Sequence, residues 1–147
     1  FALDENHLNK LEPGKRPLSS MTPTIVLREG KPWLILGSPG GSRIITAVLH
    51  TMLNVIDYDM DIQEAVDAPR IHQQWLPEET LMEPHALSPD TQQLLIAMGH
   101  KLVIPERANH VAAILIGAPA LNAAPIARYR FYGAIDPRRN TGLSLGY

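Results

Sequence analysis

Cysteine is absent from the 147 residues, which excludes disulfides, thiolate metal sites, iron–sulfur clusters and a cysteine nucleophile. Any nucleophile is therefore oxygen or nitrogen. A charge excess of one sign is lacking too: 13 Lys and Arg stand against 15 Asp and Glu, for a net charge of -2. Such a balance supplies no overall field for gripping nucleic acid or an anionic membrane. The most apolar stretch, Ile44 to Ile56, is broken by Thr46, His50, Thr51 and Asn54 and falls short of the roughly 20 apolar residues that span a bilayer. No internal repeat and no low-complexity tract is present. The opening at Phe1, with no Met, basic segment or apolar segment behind it, reads as the interior of a longer product. What is there, 45% hydrophobic and 19% charged residues, suits one moderate core and a single domain or part of one.

Residues 1–17 are polar, carry Pro13-Gly14, and read as an extended connector. Two strands are predicted at Thr24 to Leu27 and Trp33 to Leu36, joined by a charged turn containing Gly30. Both runs are almost continuously apolar, which predicts burial on both faces. After Gly37-Ser38-Pro39-Gly40-Gly41-Ser42-Arg43 comes a mostly covered helix whose apolar residues Ile44, Ile45, Val48, Leu49, Met52 and Ile56 have helical spacing. Asp61 with Glu64 forms a capping-box pattern opening a short helix that Pro69 ends. Extended pieces follow around Arg70 to Gln74 and Thr80 to Glu83. Ser88-Pro89-Asp90 starts a third helix that Gly99 closes. Three further strands are predicted at Lys101 to Ile104, His110 to Ile116 and Arg128 to Ile135, the last with Arg128 and Arg130 wet and Tyr129 and Phe131 buried. Strands and helices in blocks, without strict alternation, predict an α+β fold.

Three places could carry chemistry. The glycine-rich turn from Gly37 to Ser42 presents backbone N–H groups at the positive end of a helix dipole, a geometry that binds a phosphate, a carboxylate or a developing oxyanion. It lacks the spacing of a Walker loop or a dinucleotide fingerprint, and a tight turn serving only the backbone stands as an equal alternative. Ser19, Ser20 and Thr22 put hydroxyls on a proline-stiffened strand entry, suited to a polar ligand or to ordinary turn chemistry. The six histidines show no HExxH spacing and no clustered carboxylate, so they make a weak case for a metal site and none is expected; no cofactor is expected either. Arg128, Arg130, Arg138 and Arg139 beside aromatics mimic a nucleic-acid strand, but the negative chain favours a structural reading. Asp136-Pro137-Arg138 is expected to pin the tail by an ion pair.

The string Lys15-Arg16-Pro17-Leu18-Ser19-Ser20-Met21-Thr22-Pro23-Thr24-Ile25-Val26, with Gly37-Ser38-Pro39-Gly40-Gly41-Ser42-Arg43-Ile44-Ile45, closely resembles the small subunit of the gamma-glutamyltranspeptidase family. The similarity continues through Asn54 to Asp57, Ala65 to Arg70, His72 to Pro77 and Gly133 to Arg138, and weakens around Glu106 to Arg130. The resemblance implies part of an N-terminal-nucleophile hydrolase sandwich, four layers αββα, with 1–147 as a single partial domain from the C-terminal portion of the small subunit. It implies an enzyme that cleaves the γ-glutamyl amide of glutathione and related compounds through a threonine acyl-enzyme, passing the glutamyl group to water or to an amino acid or peptide. Gly40 and Gly41 would then form the backbone oxyanion hole, and Ser19 and Ser20 would bind the substrate α-carboxylate.

By the same resemblance the nucleophilic threonine precedes this chain, so no internal threonine, such as Thr22 or Thr24, inherits its role and the isolated chain is expected to be inactive. Its expected partners are the upstream small-subunit segment and the large subunit, with self-association as a response to exposed sheet edges. A periplasmic or exported location is implied as well. A cephalosporin-acylase-like or poly-γ-glutamate-processing relative would share the glycine pair, and a non-catalytic module binding small carboxylates is the alternative from another class.

Overall fold

The computed structural model describes residues 6–106, 108–124, 131–139 and 142–144. Residues 6–23 contain turns but no helix, and the chain then enters an antiparallel hairpin of β1 (Thr24–Arg28) and β2 (Lys31–Gly37). Glu29 and Gly30 both turn through positive φ, 52° and 76°, which brings the two strands side by side, with one register shift between Val26 and Leu27. A 3-10 turn at Gly41–Arg43 leads into α1 (Ile44–Ile56), followed by α2 (Ile62–Asp67). The short strands β3 (Ile71–His72) and β4 (Thr80–Met82) precede α3 (Pro89–Ala97), β5 (Leu102–Val103), β6 (Ala112–Ile116) and β7 (Phe131–Ile135). The larger sheet has the order β1-β2-β6-β7 and the smaller one β3-β4-β5. Helices and strands therefore combine as α+β, as the blocked sequence pattern predicts.

The core lies between one face of the larger sheet and the two helices α1 and α2. Leu34, Leu36, Val111, Ala113, Leu115 and Ala134 face Ile44, Ala47, Val48, Val55, Ile62, Ala65 and Val66. Fully burying one of the Val, Leu or Ile side chains contributes about 1.5–3 kcal/mol, and an alanine methyl less. The short helix α2 holds its place through the capping box: Glu64 N–H donates to Asp61 Oδ1 at 2.8 Å and Asp61 N–H to Glu64 Oε2 at 3.1 Å. At α3, Pro89 and Asp90 occupy the first turn as expected, but Ser88 does not cap it with its side chain. The Ser88 hydroxyl instead pairs with Thr91 Oγ1 at 2.8 Å.

Three expectations of burial are corrected. The first strand is not covered on both faces: Ile25 and Leu27 are 63% and 59% exposed, because the helices pack on the opposite face only. Within α1, Ile45 and Leu49 remain exposed while Thr51 is fully buried, so the covered face is rotated away from a purely apolar stripe. Thr51 is accommodated by donating its hydroxyl proton to the Ala47 carbonyl at 3.0 Å. In the last strand the phase is opposite to the one expected, with Phe131 and Gly133 exposed and Ala134 buried. Ladder pairing decides this, since Ala134 lies opposite buried Ala113 while Gly133 lies opposite exposed Ile114. Arg128, Tyr129 and Arg130 lie outside the described residues.

Candidate active site

Register places the sequence candidates at one end of the larger sheet. Thr24 pairs with Leu36, so the segment with Ser19 and Ser20 enters the sheet where the turn with Gly40 and Gly41 leaves it. Gly37 pairs with Ala112, and Ala112 with Ile135, so Asn109 to Val111 and Asp136 reach the same end. Four chain segments far apart in sequence thus converge beside the start of α1.

At this end the turn itself is shaped for accepting negative charge. Gly40 has φ 131° and Gly41 φ 66°, and both are exposed. Neither the 3-10 turn nor α1 has a side-chain cap or an acidic residue in its first turn. Uncapped N–H groups at the head of a 13-residue helix carry the positive end of its dipole. Arg43, whose carbonyl accepts the Thr46 hydroxyl at 3.2 Å, stands at the junction of the 3-10 turn and α1. Ser19 is exposed and its Oγ accepts from Met21 N–H at 3.2 Å, while Ser20 is half-buried and its carbonyl accepts the Thr22 hydroxyl at 3.0 Å. The serine pair is thus held by local turns, with no fixed partner on the glycine side.

Beside the turn opens a cleft lined by Arg43, Thr46, Arg70, His72, Glu83 and Asn109 among others. Thr46 Oγ1 lies 2.8 Å from His72 Nδ1, and His72 Nε2 lies 2.9 Å from Gln74 Oε1. Beneath the cleft runs a buried ionic cluster that only partly declares itself in sequence. Arg70 donates through Nη2 to Asp136 Oδ2 at 2.6 Å, Arg138 through Nη1 to Asp136 Oδ1 at 2.9 Å, and Arg138 through Nη2 to Glu83 Oε2 at 2.6 Å. Asp136 and Arg138 do pair as the tail motif predicts, but Arg70 and Glu83 are additions that no local spacing announces. Burial by itself would raise the Asp136 carboxyl; the hydrogen bonds from Arg70 and Arg138 outweigh it and hold the group below the ordinary carboxylate range. Burial works against Arg138 as well, and its bonds to Glu83 and Asp136 raise it above the ordinary guanidinium value. Two buried donors, Arg70 Nε and Asn109 Nδ2, have no hydrogen-bond partner among the described residues.

His50, on α1 facing Arg70, Glu83 and His72, is pushed below its ordinary value by burial and then by Arg70. His110 is lowered in the same way by burial and then by Arg139, against Asp136. Folding thus favours the neutral rings, and the unfolded chain binds more protons below the ordinary histidine value of 6.5. The stability these rings contribute is complete above that pH and is lost as pH falls through the lowered folded values. Melting temperatures measured from pH 8 down to pH 5 are expected to fall on the acid side, and His50→Gln is expected to flatten that slope. An unchanged slope in the variant would remove His50 from the account.

Among the described residues no group of three His, Asp or Glu is arranged to hold a metal ion, and no described helix is long and apolar enough to cross a membrane. What the arrangement can do is receive an oxyanion or carboxylate at the glycine turn, at the sheet end where the segment carrying the Ser19 and Ser20 hydroxyls also enters.

Comparison with known proteins bears on that chemistry. The family model described as Gamma-glutamyltranspeptidase matches residues 1–145. The chain is 62% identical over 147 residues to the glutathione hydrolase proenzyme of a Pseudomonas species and 48% identical over 147 residues to that of Escherichia coli. It covers 26% and 24% of those two proteins, and so spans about a quarter of the length of the curated relatives it matches. A crystal structure of a mutant gamma-glutamyltranspeptidase from Helicobacter pylori superposes with a TM-score of 0.76 at 48% identity, covering 88% of this chain and 66% of that one.

Proposed function

The chain belongs to the gamma-glutamyltranspeptidase family, and from that premise we propose that it supplies the oxyanion and carboxylate half of a γ-glutamyl acyl-transfer site. The observation that carries the reading is the convergence, at one sheet end, of the serine pair with the uncapped glycine turn at the head of α1. In this assignment the backbone N–H groups of Gly40 and Gly41 receive the oxyanion that develops when the γ-glutamyl carbonyl of a donor such as glutathione is attacked. Donors fixed by a helix start need no reorganisation as charge appears, which is what lowers the barrier. Ser19 and Ser20 donate hydroxyl hydrogens to the donor's α-carboxylate and so set its γ-carbonyl against the turn. The nucleophile and the groups that hold the donor's amino group are assigned to the remainder of the enzyme, the upstream small-subunit segment and the large subunit. The acyl group then passes to water or to an amine, and both outcomes use the same turn.

The test is release of a chromogenic amine from a γ-glutamyl anilide. It compares the 147 residues alone with a full-length proenzyme in which they replace the corresponding segment of the 62%-identical Pseudomonas relative. Turnover by the chimera and none by the chain alone is the expected result. An inactive chimera that processes normally would sink the reading, and turnover confined to non-glutamyl acyl amides would move the chain to the acylase side. Within the active chimera, Ser20→Ala is expected to raise KM for the anilide by about tenfold or more, the loss of one hydrogen bond to a charged group, with a smaller change in kcat. An unchanged KM would take Ser20 out of the carboxylate site.

A further inference from the structure

We propose that Asn109 is a positioning residue for the oxyanion turn, its side-chain amide serving as the stop against which the Gly40 peptide is set. A Cβ built on Gly40 would lie 2.6 Å from Asn109 Cγ and 2.7 Å from Nδ2, so the amide packs against the glycine with no room for a methyl group. Gly40 adopts φ 131°, a conformation that glycine enters freely and L-residues rarely do, so the residue itself does little to fix the peptide's orientation. The stop is itself anchored. The Asn109 carbonyl accepts from Arg70 Nη1 at 2.9 Å, and two residues on, Val111 N–H donates to Asp136 Oδ2 at 3.0 Å. Arg70 and Asp136, 5% and 1% exposed, are joined to each other at 2.6 Å. One buried ion pair thus grips both sides of the segment that carries the stop.

The Asn109 Nδ2 has no partner among the described residues and the amide oxygen is its atom nearest the Cβ position of Gly40, so the role assigned to the amide is steric. Replacing it by an apolar residue of similar shape gives up no bond there. The role rests on the assignment of Gly40 and Gly41 as the oxyanion hole. Asn109 itself is not a catalytic residue, since it acts through the placement of Gly40.

The experiment uses the full-length chimera, with kcat expressed per active site counted from the burst of the first turnover. Asn109→Ala is expected to lower kcat on the γ-glutamyl anilide by about 10- to 100-fold, the effect of a small misplacement of a reacting group. KM, and inhibition by free glutamate, which read the carboxylate site, are expected to stay within about twofold. Asn109→Leu, which keeps the bulk, is expected to retain kcat within about threefold of the parent. Unchanged kcat in the alanine variant would overturn the proposal. So would a leucine variant as slow as the alanine one, which would make Nδ2 a donor in its own right, or a loss confined to the number of active sites. An inactive parent chimera would instead remove the function reading on which this role stands.

Discussion

Gly40→Ala in the full-length enzyme is expected to lower kcat on a γ-glutamyl anilide by about 10²–10³, the range seen when one oxyanion donor is lost. Two separate effects act at this one residue. An L-residue is disfavoured at φ 131°, and the new methyl would overlap the Asn109 amide. The positive-φ strain is relieved by turning the Gly40 peptide, which re-aims the N–H groups at the head of α1, and the overlap by that rotation or by displacing the Asn109 side chain that stops it. Gly41 offers the internal control. It also has positive φ, 66°, but a Cβ there meets nothing within 4 Å. Gly41→Ala therefore meets the left-handed penalty of about 1–2 kcal/mol without an overlap, and is expected to lower kcat by less than Gly40→Ala does. The ordering decides between the two readings of the turn. If the glycines only satisfy backbone angles, Gly40→Ala lowers the melting temperature and leaves kcat per folded enzyme unchanged. A large fall in kcat with KM nearly constant is the signature of a donor used in the transition state.

The features that were legible in the sequence are those whose causes lie within a few residues of one another. The Asp61 and Glu64 capping box closes over three positions, and both of its bonds form. Pro89 and Asp90 open α3, and Gly99, at φ 97°, stops it for a reason written into the glycine itself. The apolar spacing from Ile44 to Ile56 marks α1 end to end. Burial was less readable. Ile25 and Leu27 have the composition of a doubly covered strand, yet what covers a strand is decided by which other segments pack on it, and α1 and α2 occupy one face only. The phase of β7 was set by pairing with β6, not by its own alternation. In the candidate site, motif resemblance located Ser19, Ser20, Gly40 and Gly41. Asn109 and Arg70 escaped because their roles depend on contacts across distant segments, Arg70 to Asp136 and Asn109 to Gly40, which no local window contains. The tail motif Asp136-Pro137-Arg138 pointed to a pin but not to the residues it pins.

That pin is the site of the largest expected loss of stability. Asp136 is 1% exposed and accepts four hydrogen bonds: from Arg70 Nη2 at 2.6 Å, Arg138 Nη1 at 2.9 Å, and the Val111 and Arg138 backbone N–H groups at 3.0 Å each. Asp136→Ala leaves Arg70, 5% exposed, without its carboxylate, and two backbone donors without an acceptor. Breaking a buried pair by removing one partner costs about 3–5 kcal/mol, because the remaining charge stays buried and uncompensated. Set against a whole stability of about 5–15 kcal/mol, that loss takes away a large fraction of it. The contrast is Glu79 with Lys101, nearly as short at 2.7 Å but with the lysine side chain 68% exposed. Glu79→Ala is expected to change stability by no more than about 1 kcal/mol, because water already solvates that pair. Urea unfolding of both variants beside the parent measures the difference. Acid should reproduce the effect in the parent: with its folded value below the ordinary 3.8, Asp136 contributes fully above that pH and loses its contribution as pH falls through the lower value. Equal, small shifts for the two variants would show that the cluster is solvated, and that the grip of Arg70 on the segment carrying Asn109 is no firmer than a surface contact.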